Sequence, residues 1–251
     1  MKKLSFVCLI TTLLALFSSA SASAMPFFGN GSGNVLVLTY HRLSTDSAMA
    51  NDYTITPDTF ESDIKLLKEN GYEFLKASQL GGAFSKGRKI AVITFDDGYK
   101  SDIEYAVPIL EKYSACATFF IVGGFIGQDG YMSKDDVKLL SQKDCCEIGN
   151  HSYATHAQLP STLSIMYRNG GYDGNIVADF QKNNAFLLEI TGKTPTAVSY
   201  PYGIFNLSVD KSLRDLGITV TFSTAEIPYK PSPIPIGRKN RGHGRDIKKL
   251  L

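Results

Sequence analysis

The sequence predicts an α/β fold, a distorted (β/α) barrel of about seven parallel strands. Three observations carry that expectation. Short apolar, β-branched runs alternate with amphipathic stretches at helical spacing, the pattern of parallel strands joined by crossover helices. The runs are apolar on successive residues, as strands covered on both faces must be. Polar groups suited to chemistry, at His41, Asp96-Asp97, His151 and Pro201-Tyr202, each follow the end of a different run. In a parallel barrel those ends meet on one rim, where active sites are built.

Taken in order, Asn34 to Thr39 reads as a first strand that presents Tyr40 and His41. Thr56-Pro57-Asp58 starts a helix, with an N-cap, a proline at the first turn and an acid on the positive end of the dipole. Phe60, Ile64 and Leu67 give it an apolar stripe, and Asn70-Gly71 stops it. Tyr72 to Leu75 is a short second strand, and Lys89 to Phe95 a buried one that delivers two carboxylates to a sheet edge. Ile103 to Tyr113 reads as helical despite Pro108, and Ala115 to Val122 as another buried strand. Ser133 caps a helix through Val137 and Leu140, and a short strand at Cys145 to Gly149 precedes two histidines. A long helix over Asn175 to Ile190 stops at Gly192. Ala197 to Ser199 is a strand ending in a rigid aromatic turn, Leu207 to Leu216 a helix and Ile218 to Phe222 a strand. Ile234-Pro235-Ile236 reads as a last strand, which proline confines to an edge.

The ends of the chain and its composition set bounds. Lys2-Lys3, an apolar segment from Leu4 to about Phe17 and the small residues Ser18 to Ala24 make a secretory signal peptide over residues 1–24. Residues 25–33 then form a flexible leader, and 34–251 one exported catalytic domain without membrane insertion. A net charge of +2 over 251 residues gives no electrostatic case for nucleic acid, and a monomer is expected. The basic stretch from Arg238 to Lys249 reads as a solvated tail. After processing, Cys116, Cys145 and Cys146 remain; buried thiols are the default, with one bridge from Cys116 to Cys145 or Cys146 left open.

The chemistry begins at Asp96-Asp97. Adjacent carboxylates push their pKa values apart unless a cation neutralises one, so a metal on one Asp with the other acting as base is a natural solution, against a plain Asp-Asp-Gly turn. An aspartate with two histidines leaves a position open for water, the composition of a catalytic rather than a structural Zn²⁺ site. His151 and His156 stand five positions apart, so a loop and not one helix face must join them.

Thr94-Phe95-Asp96-Asp97-Gly98, then His151-Ser152 with His156, then Tyr200-Pro201-Tyr202-Gly203, resemble in order and separation the polysaccharide deacetylases. These are metal-dependent carbohydrate esterases that remove N-acetyl groups from chitin-like polymers. The resemblance runs from about Val35 to Arg241, and implies that Asp97, His151 and His156 are metal ligands and Asp96 the general base. The five-residue separation of the histidines is similar to the branch acting on poly-β-1,6-N-acetylglucosamine, and by the same resemblance His41 is the general acid, with His243 the weaker candidate. Pro201 and Tyr202 are assigned to substrate binding, with the Tyr202 N–H on the oxyanion, while Tyr40, Tyr153, Tyr200 and Tyr202 are candidate stacking faces for sugars. The implied cofactor is Zn²⁺, or Co²⁺, Ni²⁺ or Mn²⁺ on the same ligands, and the implied substrate is an N-acetylated polysaccharide of cell wall or exopolysaccharide. One departure matters: many members carry an arginine before Pro-Tyr-Gly where this chain has Ser199-Tyr200, so Asp96 must be oriented from elsewhere. Two rivals are a metal phosphoesterase, disfavoured by the lack of a glycine-rich phosphate loop and of spare acids, and a non-catalytic carbohydrate-binding barrel.

Overall fold

The structure is a computed structural model, and it describes residues 34–81, 87–168, 173–224 and 234–251. The signal peptide and leader expected over residues 1–33 lie outside the described residues.

The described residues begin with β1 (Asn34–Tyr40), a two-stranded side ribbon of β2 (Arg42–Leu43) and β3 (Thr54–Ile55), and α1 (Pro57–Glu69). Next come β4 (Tyr72–Phe74), β5 (Lys89–Asp97), α2 (Val107–Tyr113), β6 (Ala117–Ile121), α3 (Lys134–Ser141) and β7 (Cys146–Asn150). It ends through α4 (Pro160–Arg168), α5 (Asp173–Thr191), β8 (Ala197–Ser199), α6 (Leu207–Asp215), β9 (Val220–Phe222) and β10 (Lys239–Asn240). Every ladder of the main sheet is parallel, in the order β10-β1-β5-β6-β7-β8-β9. Along β5, β4 pairs with Lys89 to Ala91, and β6 takes over from Ile93.

The expected caps form. Thr56 accepts the N–H of Thr59 at the start of α1, and Ser133 makes a reciprocal capping box with Asp136 at the start of α3. Pro108 falls at the second position of α2, directly after a wider π turn over Asp102–Ala106, so its missing N–H breaks no regular ladder.

Side-chain parity along β5 decides what reaches the barrel interior. Ile90 and Val92 face one core with Val37, Phe120 and Phe222, and Ala91, Ile93 and Phe95 face another with Tyr40, Phe60 and Phe119 beneath the helices. A strand repeats every two residues, so Thr94 and Asp96 share the interior side with Ile90 and Val92.

The end of the chain departs from expectation. In the expected last strand Ile236 bonds to the sheet, giving its N–H to Thr221 and accepting from Ser223, and the final strand proper is Lys239–Asn240, paired with Leu38 and Thr39 of β1. The same short segment thus touches both edges of the curled sheet. It is not a solvated tail: Arg238 and Arg241 are buried, and Arg241 donates to Asp63 of α1, which also accepts from Tyr40. Helix α4 was not expected from the sequence at all. Cys116, Cys145 and Cys146 are free thiols, so neither bridge left open by the sequence is formed.

Candidate metal centre and active site

Asp96 and Asp97 end β5, and the backbone turns between them and Tyr99. Asp97 takes φ 79° and Gly98 φ +85°, a left-handed pair that a side chain at 98 would strain. The turn leaves Asp96 in the interior by strand parity and swings Asp97 toward the mouth. Two further non-glycine residues at the site share this rare conformation, Ser152 at φ 73° and Tyr202 at φ 57°. Strain gathered in this way marks a place where side-chain direction matters more than backbone comfort.

The three expected ligands converge. Asp97 Oδ1 lies 3.1 Å from His156 Nε2 and 3.6 Å from His151 Nε2, and one donor atom from each residue falls within 4.8 Å of the others. Tetrahedral bonds of about 2.1 Å set donor atoms ~3.4 Å apart, so this spacing suits one small divalent ion. Asp97 Oδ1 is buried without a well-formed hydrogen bond, the condition of a carboxylate waiting for a cation. His151 Nδ1 faces the Ser199 carbonyl at 2.7 Å; with the proton on Nδ1, Nε2 presents its lone pair to the site. Chemistry and spacing therefore fit a divalent transition metal.

Titration follows from the same contacts. Burial drives the pKa of His151 down to about 4, against the pull of Asp96 and Asp97. His156 moves the other way: burial opposes its charge, but the adjacent Asp97 carboxylate raises it above the ordinary value. For Asp97, burial would raise the carboxyl, and the two imidazoles hold it below the usual range.

Asp96 sits 3.7 Å from His151 Nε2, beside the group of Asp97, His151 and His156. Arg238 grips it with two prongs, Nη1 to Oδ1 at 2.8 Å and Nη2 to Oδ2 at 2.6 Å, and the Ser199 hydroxyl donates to Oδ2 at 3.2 Å. Burial alone would raise the Asp96 carboxyl; Arg238 and His151 overcome it and keep the group far below the usual carboxylate range. Arg238 itself lies over the edge-to-face pair of Phe120 and Phe222, 5.6 and 5.7 Å from their centroids, and also donates to Thr94 and to the Ser223 carbonyl. The orienting arginine absent before Pro201 thus comes from the segment that joins the sheet edges. Reasoning from sequence missed it. A signal existed, since Arg238 follows Ile234-Pro235-Ile236 much as Asp96 follows its own apolar run.

His41 follows β1 with its ring edge-on to Tyr53 at 5.0 Å, and its buried Nδ1 has no hydrogen-bond partner. Burial lowers its pKa, partly offset by Asp96 and Asp97. His243 is exposed, and its backbone N–H is held by Asn51. Of the four tyrosines offered as stacking faces, Tyr40 and Tyr200 are fully buried and present nothing to a polymer. Tyr153 packs on Phe186 and under Lys182. Tyr202 is 39% exposed, with its ring 4.7 Å from that of His156 and its hydroxyl donating to the His156 carbonyl. Pro201 is buried and fixes the turn that presents Tyr202.

Comparison with known proteins matches this arrangement. A polysaccharide deacetylase family model matches residues 84–221, which carry both aspartates, both histidines and the Pro-Tyr-Gly turn. The poly-β-1,6-N-acetyl-D-glucosamine N-deacetylase of Staphylococcus aureus (strain MRSA252) is 26% identical over 217 residues, covering 79% of this chain and 75% of the relative. Among solved structures, IcaB from Ammonifex degensii aligns at 25% identity with a TM-score of 0.68, over 82% of this chain and 91% of that one. A de-N-acetylase from Aggregatibacter actinomycetemcomitans shares the fold, with a TM-score of 0.73 at 22% identity over 86% of this chain and 99% of its own. The curled parallel barrel, the matched motifs and these relatives together make the chain a member of the polysaccharide deacetylase family, a hydrolase acting on N-acetyl groups.

Proposed function

We propose that this chain is an exported, metal-dependent N-deacetylase of N-acetylglucosamine polymers, with β-1,6-linked poly-N-acetylglucosamine as its substrate class. The observation that carries the reading is the meeting of Asp97, His151 and His156 donor atoms within 4.8 Å, beside an ionised Asp96 held by Arg238. The five-residue separation of the histidines and the named activity of the S. aureus relative support the linkage, and the basic, apolar and small-residue order of residues 1–24 supports export.

Asp97, His151 and His156 would hold the ion, which would supply Lewis-acid polarisation of the acetyl carbonyl and make water more acidic. Asp96, ionised at all ordinary pH values, accepts a proton from the attacking water. The backbone N–H of Tyr202 faces the oxyanion, and the Tyr202 ring offers a face to the sugar. His41 delivers a proton to the departing amine nitrogen; burial makes its imidazolium a stronger acid than an exposed one. Water adds across the amide bond, and acetate and a glucosamine unit leave.

The test is acetate release from β-1,6-linked N-acetylglucosamine oligomers, chitin oligomers and peptidoglycan, with and without chelator, alongside a phosphate ester. Release from the β-1,6 oligomers above the other two, abolished by chelator, is expected. Release from chitin or peptidoglycan alone overturns the substrate class, and phosphate release would favour the phosphoesterase.

A further inference from the structure

Two ligand histidines five positions apart need a loop whose interior N–H groups lie in neither strand nor regular helix. In this chain helix α5 takes them up. The carboxylate of Asp179 accepts the N–H of Tyr153 at 2.9 Å, of Ala154 at 3.0 Å and of Thr155 at 3.3 Å, together with the Thr155 hydroxyl at 3.3 Å. One turn further along α5, Asn183 donates both to Asn150 Oδ1 and to the Ile121 carbonyl at 2.8 Å, and Asn150 Oδ1 also accepts the N–H of Ser152. Lys182 lies over the Tyr153 ring at 3.8 Å, and Phe186 meets its edge. Positions 179, 182, 183 and 186 share one helix face, and all four touch the segment from Asn150 to Thr155. The loop is also pressed against Gly123-Gly124, where a Cβ at 124 would come 2.5 Å from the Tyr153 carbonyl.

We propose that Asp179 is a positioning residue for the metal centre, setting the reach between His151 and His156 by gathering three consecutive N–H groups of the loop that joins them. The proposal rests on reading those histidines as ligands. The loop between histidines five positions apart has interior N–H groups to satisfy and dihedrals to fix. A single carboxylate under the loop does both. Asp179 touches neither ion nor substrate in this role; it acts through the placement of His156.

Co²⁺ affinity of the full chain, measured by chelator competition together with the Co²⁺ visible absorption, tests this. Asp179→Asn keeps the size but turns an amide toward three donors. Weakening of Co²⁺ binding by roughly 10–100-fold, with a shifted absorption band, is the expected result, because supporting contacts around ligands typically carry that much affinity. Asp179→Glu, with charge kept and displaced by one methylene, should recover part of the loss and serves alone if the Asn variant does not fold. His156→Ala is the control. If it abolishes binding while both Asp179 variants bind within about twofold of the parent with an unchanged spectrum, the positioning role is wrong. If it leaves binding intact, the ligand assignment falls and takes the proposal with it.

Discussion

Arg238 and Asp96 stand 142 positions apart and meet in a two-pronged ion pair inside the barrel, with no N–O distance above 2.8 Å. The pair couples closure of the sheet to the state of the proposed base, since Arg238 lies between the segment's contact with β9 and its contact with β1.

Removing the arginine has two readable effects. Arg238→Ala leaves a buried carboxylate unpaired, for which a loss of about 3–5 kcal/mol of stability is expected. Asp96 now has a depressed pKa, so its stabilising contribution is present above the unfolded value near 3.9 and is lost only as pH falls through the folded one. Without Arg238 the folded value rises, and the acid limb of the rate profile should move to higher pH. Denaturant melts and a pH–rate series on Arg238→Ala and Arg238→Lys check both; an unmoved acid limb contradicts the role of the pair.

Asp96→Asn removes the proposed proton acceptor but leaves the three candidate ligands. A fall in kcat of roughly 10²–10⁴-fold, with metal content unchanged, is expected from loss of a general base. Unchanged acetate release would exclude the mechanism.

His156 makes metal uptake pH-dependent in a defined direction. Asp97 raises its folded pKa above the ordinary 6.5, so in metal-free protein this contact stabilises fully below about 6.5 and is lost as pH rises through the folded value. Metal must displace that proton, so Co²⁺ affinity should rise over the same interval. Thermal melts with and without Co²⁺ at several pH values from 5 to 9 measure it. The metal-induced gain in Tm should grow with pH, and a gain that shrinks contradicts the assignment.

Gly98→Ala tests the left-handed turn. A side chain there costs about 1–2 kcal/mol at φ +85° and meets Ile121 Cδ1 at 3.2 Å, so the turn that aims Asp97 should relax. Lower stability together with weaker metal binding is expected from melts and chelator competition; a fully stable, fully metal-binding variant would show that the turn is not needed.

Much of this was legible in the sequence. Apolar runs and helix caps located β1, β4 to β9 and the helices other than α4, and the rule that polar residues follow apolar runs marked Asp96, Asp97, His41, His151 and Tyr202 as candidates. What escaped did so for physical reasons. Arg238 lies in a cationic stretch, and charge read along a chain says solvent, whereas its partner Asp96 is near only in space. Tyr40 ends β1 and Tyr200 follows β8, much as the candidate site residues fall at strand ends, but parity and packing send both into the core. Asp179 looks like any acid on an amphipathic helix until the loop it serves is folded against it.

The central claim is that one divalent ion on Asp97, His151 and His156 drives hydrolysis of N-acetyl groups. Metal-stripped protein titrated with Zn²⁺, with acetate release from β-1,6-linked N-acetylglucosamine oligomers measured at each addition, tests it most directly. Release should start near zero, climb linearly and level off at one equivalent per chain. Full release from stripped protein in the presence of chelator would contradict it.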